Sequence, residues 1–304
     1  MSKTNASFIN VEGGDLESRL AAAHSRARGG SASFYWAAYK FTARPGVSVD
    51  AVLSTDAGLP VELGGVITGN VGQYETRNLG VFLLYADAAA DAPTRVEVYN
   101  LDRQRDFDGL PVYWLGEAGE AESLGLLEGL LRRRATGESA GGKLAEAVAL
   151  HEGGRAEELL AELARGARLV SARAVAAFWL GRIGLNLPLA EEVAADGRED
   201  LAVRQQAVMG IGKSRAPGAL DALRRLLEVV GEHSLREAVV NAVAKSRQPG
   251  AAELLKSVAD GSDDAGLRRR AQMQLLKASG AKGRAKEGKR DEGARRDRSW
   301  RPWQ

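Results

Sequence analysis

The sequence predicts an α+β protein: a small antiparallel β domain followed by a right-handed α-helical solenoid. Three observations predict it. Of 17 aromatic residues, 13 lie in residues 1–118. A pattern of apolar and basic residues recurs about every 32 positions between residues 172 and 276, the mark of stacked repeats. A charged stretch punctuated by Gly closes the chain. At 304 residues the chain is long enough for two domains. The predicted boundaries are 1–110 for an N-terminal helix and β-rich domain, 111–280 for the solenoid and 281–304 for a basic flexible tail with a terminal Trp pair.

Residues 15–28 (DLESRLAAAHSRAR) read as a helix capped by Asp15, with Leu16, Leu20 and Ala23 on one face and Gly29-Gly30 at its end. The aromatic-rich run Phe34–Phe41 suits a pleated surface. Tyr35, Trp36 and Tyr39 then serve as core, or as an exposed patch for a partner. Val47, Val49, Ala51 and Leu53 alternate with polar residues, as in a half-buried strand, after a turn at Pro45-Gly46. Gly80–Tyr85 and Thr94–Tyr99 flank a loop of small residues and predict a hairpin. The expectation is about five strands in an antiparallel sheet or sandwich.

The repeat is read by aligning four segments that begin at Ala172, Val203, Leu235 and Leu267. An Arg occupies the second position at 173, 204, 236 and 268. Leu180, Ile211, Val243 and Leu275 hold the central apolar position, and Ala176, Ala207, Val239 and Ala271 lie four residues earlier on the same face. Asp200, Ser234 and Asp264 are placed to cap these helices. A second helix follows each. Lys213-Ser-Arg-Ala-Pro-Gly-Ala219 and Lys245-Ser-Arg-Gln-Pro-Gly-Ala251 are nearly the same heptapeptide, with Pro expected at or near the first helical position. Tyr113-Trp-Leu-Gly116 resembles Phe178-Trp-Leu-Gly181, which extends the predicted repeats back to a helix starting at Pro111.

Val-Arg-x-x-Ala-x-x-x-Ile-Gly followed by Ala-x-x-x-Leu-x-x-Leu-Leu resembles the HEAT repeat, in the form of phycobilisome-lyase-type HEAT-like proteins. The resemblance covers slightly over half the chain. It implies a scaffold that binds partners, in a family with few enzymes, and Arg residues that pair with carboxylates of neighbouring turns. It also implies, more remotely, a lyase of the phycobilin type, for which no cofactor-contact motif carries over. A β-rich domain feeding into such repeats is similar to bacterial HEAT-repeat proteins, several of which carry export signals.

Composition narrows the chemistry. The chain has no Cys, which excludes disulfides and thiolate chemistry, and three His: His24, His151 and His233. All three are expected to be solvated or capping. Nucleotide-loop, nucleophile-elbow and zinc-protease motifs are absent from the sequence. No catalytic residue, metal ligand or cofactor site is assigned, no small-molecule substrate is evident, and the chain is not expected to be an enzyme.

The candidate partner-binding residues are a ladder, Arg182, Lys213, Lys245 and Lys277, and the chain end, Trp300, Arg301 and Trp303. The ladder either meets an acidic peptide or phosphate backbone, or offsets the negative ends of its own helices. Residues 281–304 carry nine basic and four acidic side chains, against a net +2 for the whole chain. The leading expectation is a protein-interaction scaffold or self-association, and the second is nucleic-acid binding through the ladder and tail. No apolar run is long enough for a membrane helix, so no membrane contact is expected. MSKTNASFINVEGG does not read as a secretory signal, so a cytoplasmic location is expected, or an exported one if a signal peptide has been removed.

Overall fold

A computed structural model describes residues 8–30, 33–49, 52–54, 60–62, 66–68, 78–102 and 105–278. The chain divides into two units, Met1–Leu180 and Gly181–Gln304, with the division inside one helix.

The first unit begins with a short strand, β1 (Phe8–Asn10), and a helix, α1 (Leu16–Arg28). Asp15 caps α1 by accepting from the Ser18 N–H at 2.7 Å, while the Ser18 hydroxyl meets the Asp15 backbone in return. Then come β2 (Tyr35–Thr42), β3 (Val47–Val49), β4 (Val52–Ser54), β5 (Pro60–Glu62), β6 (Val66–Thr68), β7 (Asn78–Tyr85), β8 (Arg95–Asn100) and β9 (Val112–Glu117). Five of them form one sheet in the order β1-β9-β2-β7-β8. Strands β3 with β6 and β4 with β5 pair antiparallel in two separate two-stranded sheets.

Two expectations need correction. The sheet is mixed rather than antiparallel: β2, β7 and β8 are antiparallel, but β9 runs parallel to both β1 and β2. Parallel strands need a crossover, and α1 supplies it between β1 and β2. The helix expected behind Pro111, and with it the boundary after residue 110, is also wrong. Tyr113-Trp-Leu-Gly116 lies in β9, inside the sheet.

Strand β2 is buried on both faces, which explains its near-continuous run of large residues. Tyr35, Tyr39 and Phe41 face the helices, where Tyr35 meets His24, Tyr39 meets Ser123 and Phe41 meets His151. Trp36 and Ala38 point the other way, into a cluster with Phe82, Phe107 and Val112. Tyr35, Trp36 and Tyr39 are therefore core. Phe107 is brought there by a loop that turns at Asp108 and Gly109, both with positive φ.

The helices that follow are α2 (Glu120–Arg132), α3 (Glu138–Ala149), α4 (Gly154–Gly166) and α5 (Val170–Ile183). The second unit holds α6 (Leu187–Ala195), α7 (Leu201–Lys213), α8 (Ala219–Val229), α9 (His233–Lys245), α10 (Ala251–Gly261) and a last described helix, α11 (265–278). Within that unit α7 packs on α9 and α6 on α8, while each helix of one layer also meets its sequence neighbours in the other. Ile211 and Val243 are buried, as are Ala207, Val239 and Ala271. Leu275 is only half-buried, because among the described residues no helix follows α11 to cover it.

Asp200 and Asp264 cap as expected, accepting from Ala202 and Leu267 N–H groups at 2.9 and 3.1 Å. Ser234 does not cap: it lies inside α9, whose N-cap is Glu232. The two Pro residues fall before their helices rather than at the first helical position. Gly218 and Gly250 take the cap positions at φ +84° and +86°, a conformation that favours Gly.

Candidate functional site

The duplicated heptapeptide builds the same turn twice. Lys213 closes α7 and Lys245 closes α9. The next residue, Ser214 or Ser246, turns its hydroxyl to accept from the N–H two residues on, both at 3.2 Å. With Ser214 folded inward, Lys213 and Arg215 stand exposed on either side of it, and Lys245 and Arg247 repeat the arrangement around Ser246. Gln248 locks the second turn against the first, donating from Nε2 to the Ala216 carbonyl at 3.0 Å and to the Ser214 carbonyl at 3.4 Å.

Arg182, at the end of α5, donates to the carbonyl of Lys213 at the end of α7. Arg182 thus offsets the partial negative charge at the end of α7, not of its own helix as one alternative for the ladder has it. The contact also pulls Arg182 up against the other cations. Burial, and then the proximity of Arg215 and Arg247, lowers the Arg182 pKa. Burial, and then Arg182 and Lys245, lowers that of Lys213. Three of the four ladder residues thus share one edge with Arg215 and Arg247. Lys277 is exposed in the last turn of α11. Trp300, Arg301 and Trp303 lie outside the described residues.

Beside this edge lies a cleft of about 430 Å³ between α7 and α9. Gln205, Met209 and Lys213 line one wall, and Glu237, Asn241 and Lys245 the other. At the far wall Glu237 accepts from Arg270 at 2.8 Å and Asn241 accepts from Gln274 at 2.8 Å, tying α9 to α11.

The Arg series inside the repeats is structural. Arg204 is buried, donates from Nε to the Ala194 carbonyl at 3.0 Å and forks onto Glu232, with Nη2 3.0 Å from Oε2. Arg268 reaches the Ser262 carbonyl at the end of α10 in the same way, and Arg236 lies 3.9 Å from Asp264.

One constellation that the sequence did not announce lies in the first unit. His151 Nε2 is 2.8 Å from Ser123 Oγ, and Tyr39 Oη is 2.9 Å from the same oxygen. His151 Nδ1–H donates to the Ala147 carbonyl at 2.8 Å. That fixes the tautomer: Nε2 accepts from the Ser123 hydroxyl, which accepts from Tyr39. A Ser–His pair is the core of a nucleophile–base arrangement, but both side chains are enclosed and Phe41 stacks on the imidazole at 4.4 Å. Here the pair pins β2 to α2 and the end of α3. Burial pushes the His151 pKa down to about 4. His24 is half-buried against Tyr35 and Tyr85. Only His233, beside Asp264 at 2.8 Å, is exposed as expected.

Arg215 and Arg247 are the edge residues that counting one cation per repeat overlooked. Their signal was in the sequence, since both copies of the heptapeptide carry Lys-Ser-Arg.

Residues 187–276 match the family profile described as HEAT repeats. These residues are HEAT repeats. The cleft and all of its basic edge except Arg182 lie within the matched HEAT repeats. No curated protein matches the chain. Among solved structures, the chain is similar to one from the complex of CpcE and CpcF of phycocyanin lyase from Nostoc sp. PCC7120, with 18% identity and a TM-score of 0.38. The likeness covers 51% of this chain and 98% of that one. The expectation that the chain is not an enzyme is corrected: the similar chain comes from a lyase complex. At that level of likeness the match assigns no activity. Among the described residues no helix is long and apolar enough to cross a membrane.

Proposed function

We propose that the helical repeats of residues 181–278 form a protein-interaction surface, with the α7–α9 cleft and its basic edge as the contact region. The observation that carries this reading is the turn duplicated at 213–219 and 245–251. It places Lys213, Arg215, Lys245 and Arg247 on adjacent rungs beside an open cleft. Stacked helical repeats present such surfaces to protein partners. Trp300, Arg301 and Trp303 supply a second contact, since Trp and Arg are favoured interface anchors.

Nucleic acid is the weaker alternative. Glu237 lines the same cleft, already paired with Arg270. Residues 181–278 carry 15 basic and 13 acidic side chains, so the unit is not broadly cationic.

A photo-crosslinking residue at Ala238 in the cleft, with one at Ala252 on α10 as control, tests the reading in the native host. Protein adducts are expected from position 238 and not from 252, and removal of residues 299–304 is expected to lower their yield. Adducts confined to 252 would move the surface to the other helix layer.

A further inference from the structure

We infer that the occupant of the basic edge is an extended segment of a partner protein with carboxylates at about every third residue. This rests on the interaction reading above and names the chemistry of the partner at that site. Arg182 and the two turns form successive rungs, tied by the Arg182 bond to the Lys213 carbonyl and by Gln248 to the Ala216 carbonyl.

The helix ends do not explain the whole edge. Lys213 and Lys245 sit in the last turns of α7 and α9, where a cation is favoured. Arg215 and Arg247 lie beyond those ends, on turns already closed by Ser214, Ser246 and Gln248. Both turns therefore spend a second, exposed cation that their own geometry does not need. Arg215 and Arg247 beside Arg182, and Arg182 and Lys245 beside Lys213, disfavour the charged forms of Arg182 and Lys213, and a bound anion relieves that.

The spacing selects the kind of anion. Packed helices lie about 8–10 Å apart, so each rung is offset from the next by about that distance. An extended chain in the polyproline II conformation advances about 3.1 Å per residue with three residues per turn, so every third side chain returns to one face and three residues match one rung. Duplex DNA offers a phosphate about every 3.4 Å of axis on each strand, about three to a rung, so most of its phosphates meet no rung. The cleft also presents the amides of Gln205 and Asn241, whose donors and acceptors match a peptide main chain.

The test is fluorescence anisotropy on the full chain with three probes. One is a 15-residue peptide with Asp at every third position and Gly and Ser between. The second is an isomer of the same composition with its Asp residues contiguous. The third is a 15-base-pair DNA duplex. The spaced peptide is expected to bind most tightly. R215E/R247E should weaken it about tenfold, as expected for losing two exposed charge pairs, and K256E on α10 should leave it unchanged. If the double reversal disturbs folding by circular dichroism, R215Q/R247Q gives the measurement and should weaken binding less. Equal affinity for the two isomers, tighter binding of the DNA, or indifference to both double variants overturns the inference. Adducts at position 238 without binding of any acidic peptide would leave the interaction reading standing and remove the acidic occupant. Loss of the adducts as well would remove both.

Discussion

His151 Nε2 accepts from Ser123 Oγ at 2.8 Å, with both residues closed off from solvent. Protonation of the imidazole would put a charge where only neutral partners face it and would turn Nε2 from an acceptor into a donor. The folded pKa, about 4, is below the ordinary value of about 6.5. Between those values the unfolded chain binds a proton that the folded chain does not. The contribution of His151 is therefore complete above about pH 6.5 and is lost as pH falls, reaching a penalty of about 3 kcal/mol near pH 4. Urea unfolding at pH 7, 5.5 and 4.5 should show this decline. His151→Phe should be less stable at pH 7 and show a flatter decline. An unchanged acid limb in the variant would assign the pH dependence elsewhere.

Arg204 bridges two repeats, holding the Ala194 carbonyl at the end of α6 and the Glu232 carboxylate at the start of α9. Removing a buried guanidinium strands both partners, and breaking such a pair costs about 3–5 kcal/mol. Glu232 is half-exposed, so water recovers part of its solvation. Arg204→Met should lose about 2–3 kcal/mol in urea unfolding. Glu232→Gln should cost less, because the neutral amide still accepts from the fork. Equal stability of both variants and the parent would show that the bridge does not hold the repeats together.

The repeats were legible because their signal is redundant. The apolar position at Leu180, Ile211 and Val243, the small residue four before it and the Arg at the second position all keep one register, and each has a physical reason to recur. Strand β9 was not legible. Tyr113-Trp-Leu-Gly116 and Phe178-Trp-Leu-Gly181 are nearly the same four residues, yet one is a strand and the other a helix. Four residues are too few to show a period. What decides the first is the pairing of β9 with β1 and β2, both more than 70 positions away. Its Gly116 adopts φ +84°, which a helix does not. The site was legible in part for a similar reason. The Lys residues stood out as a ladder, whereas Arg215 and Arg247 gained meaning only when Gln248 showed the two turns in contact. Sequence also placed His151 at a helix end, but not beneath the ring of Phe41.

Ile211 and Leu275 occupy the same repeat position in different surroundings. Ile211 is fully buried, whereas Leu275 is half-buried on α11. Ile211→Asp buries a charge with no partner and should cost more than about 4 kcal/mol, enough to unfold the central repeats. Leu275→Asp should be tolerated, with circular dichroism near that of the parent. A cooperative melt unchanged by Ile211→Asp would break the repeat alignment itself.

Gly212 sets how closely α7 and α9 approach. A Cβ at this position would stand 2.6 Å from the Ala242 Cβ and 2.9 Å from its Cα, so a side chain forces the helices apart. The register position reads Gly181, Gly212, Ala244 and then Leu276, which is 70% exposed on α11. Ala in place of an exposed mid-helix Gly gains up to about 1 kcal/mol, and overpacking costs about 1–3 kcal/mol. Gly125 in α2 is exposed and has open space where its Cβ would lie. Gly125→Ala should therefore raise the urea midpoint, while Gly212→Ala should lower it. Leu276→Ala should leave it nearly unchanged, because among the described residues no helix packs over that side chain. A midpoint raised by Gly212→Ala would mean that α7 and α9 have room to spare, and that the small residues do not set the spacing of the rungs.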